Sequence, residues 1–216
     1  MGIEVISFDI DGTLVDPEYN DLIWHQVIPQ LVSDKKRIKF TEALNIVQKE
    51  YDRIGKNNLD WYNLNYWIKY ISLDTDDKIL LQKYENTIKI YQDAPLILEK
   101  LSSDYTLICI SSMPFEFITP KIKKIKKYFS SIHSALSEYK CLKNRYTYLK
   151  ICQKINIEPK KIFHIGDSEY SDFLEAREAG LHSILIDRKK SNNLKKYGRD
   201  VITSLIDIPL RIKEYI

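Results

Sequence analysis

Cysteine is scarce in this chain, net charge is small and long apolar runs are missing, and each shortage removes a class of protein. Cys109, Cys141 and Cys152 make an odd count of three without metal-ligand spacing, so neither a disulfide scaffold nor a cysteine-held metal is expected. Cys109 lies inside an apolar run, where a thiol packs as a small hydrophobe. His25, His133 and His182 show no pair spacing suited to zinc, and His164, between Phe163 and Ile165, reads as a core residue. The net charge of +3 is too small to imply a nucleic-acid or membrane partner. No stretch approaches the roughly eighteen consecutive apolar residues of a membrane span. The N-terminus has no basic region followed by an apolar core, so a cytoplasmic protein is expected. Ile6 stands where a myristoylation signal needs Ser or Thr. No internal repeat or low-complexity tract is evident.

What is present is 216 residues, 44% hydrophobic and 29% charged, enough for one domain with a sizeable core plus an insertion. Near-continuous apolar runs at residues 4–9, Thr106 to Ile110, Ile132 to Leu136, Lys161 to Ile165 and Ser183 to Ile186 read as strands of a sheet covered on both faces. Helical patterns lie between them: Ile118, Ile122, Ile125 and Phe129; a segment from about 145 to 156; and Phe173, Ala176 and Gly180. The alternation predicts a doubly wound, Rossmann-like α/β fold with a parallel sheet. Residues 16–92 interrupt it with amphipathic stripes alone: Leu44, Val47, Tyr51 and Ile54; Trp61, Leu64, Ile68 and Ile71; Leu80, Tyr84, Ile88 and Tyr91. The expected organisation is an α/β core from residues 1–15 and 93–216 carrying an inserted α-helical cap at 16–92. Pro29 is expected to kink or divide the first cap helix, and Asp93 to cap the helix that returns the chain to the core.

Two strand ends carry acids. Phe8-Asp9-Ile10-Asp11-Gly12-Thr13 places two carboxylates two residues apart where a strand meets a glycine turn. Ile162 to Ile165 runs into Gly166-Asp167-Ser168, with Asp172 five residues after Asp167. In an open parallel sheet, ligands bind at the carboxyl ends of strands, so the two ends can meet at one site. Ser111 and Ser112 end a third strand, with Ser112 also placed to cap the following helix. Lys140 and Lys143 precede the helical segment at 145. The lysines at 121, 123, 124, 126 and 127 read as the solvated face of a core-packed helix, and the basic group from Arg188 to Arg199 as a surface loop.

In this order the motifs resemble the haloacid dehalogenase superfamily, in particular its phosphatases with a helical cap of the first type. The resemblance implies that Asp9 is a nucleophile forming an aspartyl-phosphate, and that Asp11 is the general acid and base. It implies Mg²⁺ held by Asp9, Asp167 and the backbone carbonyl of Asp11, with Asp172 as an outer contact. Ser111 and the charge of Lys143, favoured over Lys140, would complete the catalytic set, with Gly12, Thr13 and Ser112 binding substrate. Asp11 argues against the metal-independent dehalogenases, which lack that acid. The chain departs from the family pattern in having no Lys-Pro pair and in carrying Ser112 where many relatives have Asn. From the cap, Tyr62, Tyr66 and Tyr70 form a row at steps of four beside Trp67, and Tyr66 in particular is expected to line the substrate pocket. The implied activity is hydrolysis of a small phosphorylated metabolite. A phosphomutase, a phospho-accepting receiver module and an inactive scaffold are the rivals.

Overall fold

The computed structural model describes residues 2–190 and 196–215. Six strands, β1 Val5–Phe8, β2 Thr106–Ser111, β3 Ser131–Ser134, β4 Ile162–Gly166, β5 His182–Ile186 and β6 Val201–Ile202, form one sheet in the order β3-β2-β1-β4-β5-β6. Every pairing is parallel. Alternate residues feed opposite layers, as the two-residue strand period requires. Ile6, Phe8, Cys109, Phe163 and Ile165 pack with Ile97, Leu98, Ile118 and Ile122 on one face. Val5, Ile108, Ile110 and Ile162 pack with Tyr148, Ile151 and Ala176 on the other. Strand order reverses beside β1, so a crevice opens where the carboxyl ends of β1 and β4 lie side by side, with Phe8 in register with Ile165.

Residues 18–87 are helical, without a strand among them. Their own core gathers Trp24, Tyr51, Leu64, Trp67 and Leu80 around Phe117, which comes from the core helix Phe115–Ile122. Trp24 stacks on Phe117 with ring centroids 5.5 Å apart. The two chain segments that enter and leave this region are tied together: Val15 bridges Ile90, Asp16 donates its N–H to the Lys89 carbonyl and Tyr91 donates to the Leu14 carbonyl. Among the described residues no helix is long and apolar enough to cross a membrane.

Several local expectations are corrected. The first cap helix is divided next to Pro29, as expected, but by a π-helical turn at Ile23–Val27 and not by a break in the chain: the α-helix Glu18–Leu22 gives way to it and resumes at Ile28–Lys36 with Pro29 in the first turn; the wider turn carries the Ile28 N–H back to the Ile23 carbonyl. The stripe from Leu80 to Tyr91 breaks at Lys83, after which Ile88 and Tyr91 join the sheet's core. Ala135 and Leu136 start a short helix rather than finishing a strand, since the Ser134 hydroxyl caps it by accepting from the Ser137 N–H at 2.9 Å. The two-residue β6 is too short to show a period. Asp93 does not cap its helix. Its carboxylate instead forms a two-pronged pair with Arg188 at 3.0 and 3.1 Å and accepts from Ser204 and from the Leu205 N–H at 2.9 Å. Part of the basic loop, residues 191–195, lies outside the described residues.

Candidate active site

The chain leaves β1 at Asp9, whose N–H donates to the Ile165 carbonyl at 2.8 Å, and turns back so that the N–H groups of Leu14 and Val15 both reach the Ile10 carbonyl at 2.9 Å. Gly12 makes this turn with φ of 75°, in the left-handed region that costs a side-chain-bearing residue energy. It also makes room: a Cβ on Gly12 would sit 2.1 Å from Asp167 Oδ2, and one on Gly166 would sit 2.2 Å from Asp172 Cγ. Two glycines thus let carboxylates from the β4 end close on the end of β1. Asp9, Asp167 and Asp172 each bring an oxygen within 4.8 Å of the others.

Lys143 neutralises part of this charge from below. Its position follows from Asn144, whose side chain caps the helix Arg145–Ile155 by accepting from the N–H groups of Tyr146 and Thr147 at 2.9 and 3.1 Å. The buried Lys143 ammonium donates to Asp9 Oδ1 at 2.5 Å and to the Ile110 carbonyl at 3.2 Å, and pairs with Asp172. Burial alone would weaken the ammonium, but the Asp172 and Asp9 charges outweigh it and hold the pKa above the ordinary lysine value. Lys140 is exposed, and its ammonium donates to the Ser137 carbonyl. Of the two lysines, the structure brings Lys143 to the acids.

Asp172 is locked. It accepts from the Ser168 N–H at 2.9 Å, lies 3.0 Å from His164 Nε2 and pairs with Lys143. Burial opposes its charge, yet the Lys143 and His164 contacts prevail and keep its pKa below the usual carboxylate range. Burial raises Asp9, against the pull of Lys143 and with the push of Asp172 and Asp167. Asp167, at the open mouth of the cleft, is pushed up to about 7 by desolvation among the surrounding chain and by the Asp172 charge. His164 is a buried core residue as its setting suggested, but it also touches the site. Burial holds its pKa below the ordinary histidine value against the pull of Asp172, and its Nδ1 lies 2.7 Å from the Ser7 hydroxyl. An imidazole inside an apolar strand gives no signal of a contact eight residues away.

Asp11 faces the cleft but stands apart from the other acids. Both its oxygens accept from the Lys121 ammonium, at 2.6 and 2.8 Å. This corrects the reading of Lys121 as solvated: it is 1% exposed, walled by the rings of Phe117 and Tyr19 at 5.5 and 5.9 Å, whereas Lys123, just past the end of that helix, reaches Glu85 across the surface. Spacing alone could have separated them, because Lys121 falls three and four residues from Ile118 and Phe117 on the buried face.

Ser111 and Ser112 both line the cleft. The Ser111 hydroxyl accepts from the Met113 N–H at 3.1 Å. Ser112 does not cap the next helix, whose N-cap is Pro114; its hydroxyl accepts from the Lys143 N–H at 3.2 Å, so it fixes the lysine's backbone. Thr13 is buried with no partner for its hydroxyl, and its carbonyl accepts from Arg188 at 2.6 and 3.0 Å. Tyr66 is not among the residues that line the cleft. It stacks on Tyr70 at 5.6 Å and meets Trp67 edge-on, and Tyr70 in turn donates to Glu50. The tyrosine row therefore packs the helical region against itself, which corrects the expectation of a pocket wall there.

With this geometry in place, the comparison with known proteins is specific. The family model for haloacid dehalogenase-like hydrolases matches residues 3–180. The chain belongs to that family. A haloacid dehalogenase phosphatase from Thermococcus onnurineus has the same fold, with a TM-score of 0.83 over 97% of this chain and 98% of that one at 23% identity. The glyceraldehyde 3-phosphate phosphatase of Pyrococcus furiosus is 24% identical over 94% of this chain and 90% of its own. The GMP/IMP nucleotidase YrfG of Escherichia coli (strain K12) is 28% identical over 72 residues, 33% of this chain, and that match spans only 32% of the nucleotidase. In this haloacid dehalogenase-like hydrolase, then, the acids at the ends of β1 and β4 meet in one cleft with Lys143.

Proposed function

We propose that this haloacid dehalogenase-like hydrolase is a magnesium-dependent phosphatase of small phosphorylated metabolites that works through a phosphoryl group carried on Asp9. The observation that carries the reading is the meeting of Asp9, Asp167 and Lys143 at the strand-order reversal. The donors fit a hard cation. They are carboxylate oxygens, and the raised pKa values of Asp9 and Asp167 express burial first and then the repulsion of neighbouring acids, Asp172 above all, which a positive ion offsets. Asp9 and Asp167 would hold it, with Asp172 behind them, already engaged by Lys143 and His164. Bound magnesium supplies charge neutralisation at the phosphoryl oxygens.

An Asp9 oxygen attacks phosphorus, the ester P–O bond breaks, and Asp11, entering this step as the protonated acid, gives its proton to the departing alkoxide. Asp11 then takes a proton from a water molecule whose oxygen attacks the same phosphorus; the P–O bond to Asp9 breaks and frees its carboxylate. Lys121 fixes the direction of the Asp11 carboxylate. Lys143 offsets the charge of Asp9 and phosphate, and the Ser111 and Ser112 hydroxyls offer polar contacts to phosphate oxygens, with Gly12 and Thr13 shaping the turn beneath them. Residues 16–92 act as a cap that opens and closes about the paired segments at Val15 and Ile90. Among the described residues lining the cleft, Lys143 is the one cationic side chain and it is committed to Asp9 and Asp172. A phosphomutase needs a second phosphate site, so hydrolysis is favoured.

A phosphate-release screen over sugar phosphates, nucleotides, phosphoglycolate and an aryl phosphate tests this, run with magnesium, with chelator and with Asp9→Asn. Release abolished by chelator and by the substitution is expected. Release indifferent to both contradicts the reading.

A further inference from the structure

A second cavity, of about 200 Å³, adjoins the cleft: Pro17 and Asp167 line both, and Gly12 of the catalytic turn lines the second as well. The phosphoryl end of an ester belongs beside Asp9 and Lys143, so the shared wall at Asp167 places this cavity next to the alcohol end. Its other walls include Tyr91, Arg188 and Lys189.

The two cations differ in what they are free to do. Arg188 is engaged: it donates to both oxygens of Asp93 and twice to the Thr13 carbonyl, and its guanidinium lies 3.8 Å from the centre of the Tyr91 ring. Lys189 is exposed, and among the described residues its ammonium has neither an ion pair nor a hydrogen bond. Asp187 also lines the cavity, but it is buried and has an interaction of its own. The backbone carrying Lys189 is held on both sides: the Asp187 N–H donates to the Ile202 carbonyl at 2.8 Å, and the Lys190 N–H closes the turn on the Asp187 carbonyl at 3.2 Å. A cation on a fixed turn loses less freedom when a ligand pairs with it.

We propose that the cavity beside Asp167 receives the alcohol end of the substrate and that Lys189 pairs there with a carboxylate, so that the site favours phosphate esters of hydroxy acids. This rests on the phosphatase reading and narrows its substrate class. Among the described residues lining the cleft itself, the one ammonium is already paired with Asp9 and Asp172, which leaves Lys189 to meet a second charge. One ammonium matches one carboxylate. A second phosphate dianion asks for a guanidinium fork or a pair of cations, and the Arg188 fork is already filled.

The test compares kcat/KM for phosphoglycolate and 2-hydroxyethyl phosphate, which share a two-carbon frame and differ in a carboxylate against a hydroxymethyl group. Lys189→Met is expected to lower the ratio of the first to the second about fivefold, the upper worth of an exposed ion pair, through KM rather than kcat. Lys189→Glu should lower it further, and Lys189→Arg should retain it. Lys190→Met, on the same turn but outside the residues lining the cavity, should leave it unchanged. Because each ratio is measured on one preparation, a partly unfolded variant does not distort it. Phosphoglycolate left intact while neutral esters are cleaved, a ratio that Lys189→Met and Lys189→Glu leave unmoved, or an equal fall with Lys190→Met overturns the proposal. Absence of phosphate release from every ester would instead overturn the phosphatase reading itself.

Discussion

The carboxyl edge of the sheet and the helical insertion solve different problems with different materials. At the edge, side chains are fixed by strand register, two glycines and buried charge pairs: Asp9 close to Asp167, with Lys143 paired to Asp9 and Asp172. In the insertion, Trp24, Tyr51, Trp61 and Trp67 form an aromatic knot with ring centroids 4.6–6.2 Å apart. The edge has few tolerable substitutions because Asp9, Asp11 and Asp172 each have a particular partner. The insertion can be altered more freely as long as volume is kept. Charge pairing and aromatic packing are thus placed in regions with separate rules, and they should fail separately.

The sharpest break in that contrast is expected from Asp9→Asn, which should cost about 10⁴-fold or more in kcat by removing the nucleophile. Its melting temperature should hold or rise, since burial already disfavours that charge. Asp11→Asn should cost about 10²–10⁴-fold, with a larger loss for alkyl than for aryl phosphates because a poor leaving group needs the proton more. Equal losses on both would deny Asp11 its role. Trp67→Ala, in the insertion, should instead lower stability by about 3–5 kcal/mol in denaturant unfolding, since that ring is fully buried.

Magnesium should report on the edge alone. In the metal-free protein the Asp167 carboxyl is raised from 3.8 to about 7. The unfolded chain loses that proton first, so between those values the folded state holds one more, and this group's contribution to stability falls as pH rises through the window. A cation needs the ionised form. The rise in melting temperature on adding magnesium should therefore be larger at pH 8 than at pH 6; an equal rise, or none, removes Asp167 from the metal site. The smallest effect is expected from Tyr66→Ala, which should shift melting temperature while leaving substrate ratios unchanged, because Tyr66 packs on Tyr70 and Trp67 away from the cleft.

The same contrast explains what the sequence could disclose. Strand ends announce themselves, since an apolar run stopping at Asp9 or Asp167 has few other readings, and the parallel α/β fold followed from the alternation of elements. Lys143 was favoured by its place before a helical segment, where the family resemblance asks for a lysine. Lys121 was obscured because four lysines share its neighbourhood and only helix phase separates the buried one from the rest. Asp93 and Ser112 looked like caps by local position, but partners distant in sequence, Arg188 and Lys143, claimed their side chains. Tyr66 and Lys189 show the limit from opposite sides. An aromatic row suggested a pocket and was packing, whereas a lysine in a basic surface loop carried no pattern and lines a cavity beside the cleft. Tertiary placement decides both cases, and periodicity does not encode which neighbour a side chain meets.

The central claim is that phosphorus becomes bonded to Asp9. Rapid quenching of the Asp11→Asn variant with a ³²P-labelled ester and magnesium, followed by peptide mapping, tests it most directly. Label on the peptide containing Asp9, lost on chase with unlabelled ester and absent when Asp9 is also changed to Asn, is the expected result. Label on another residue, or label that persists without Asp9, would contradict the account.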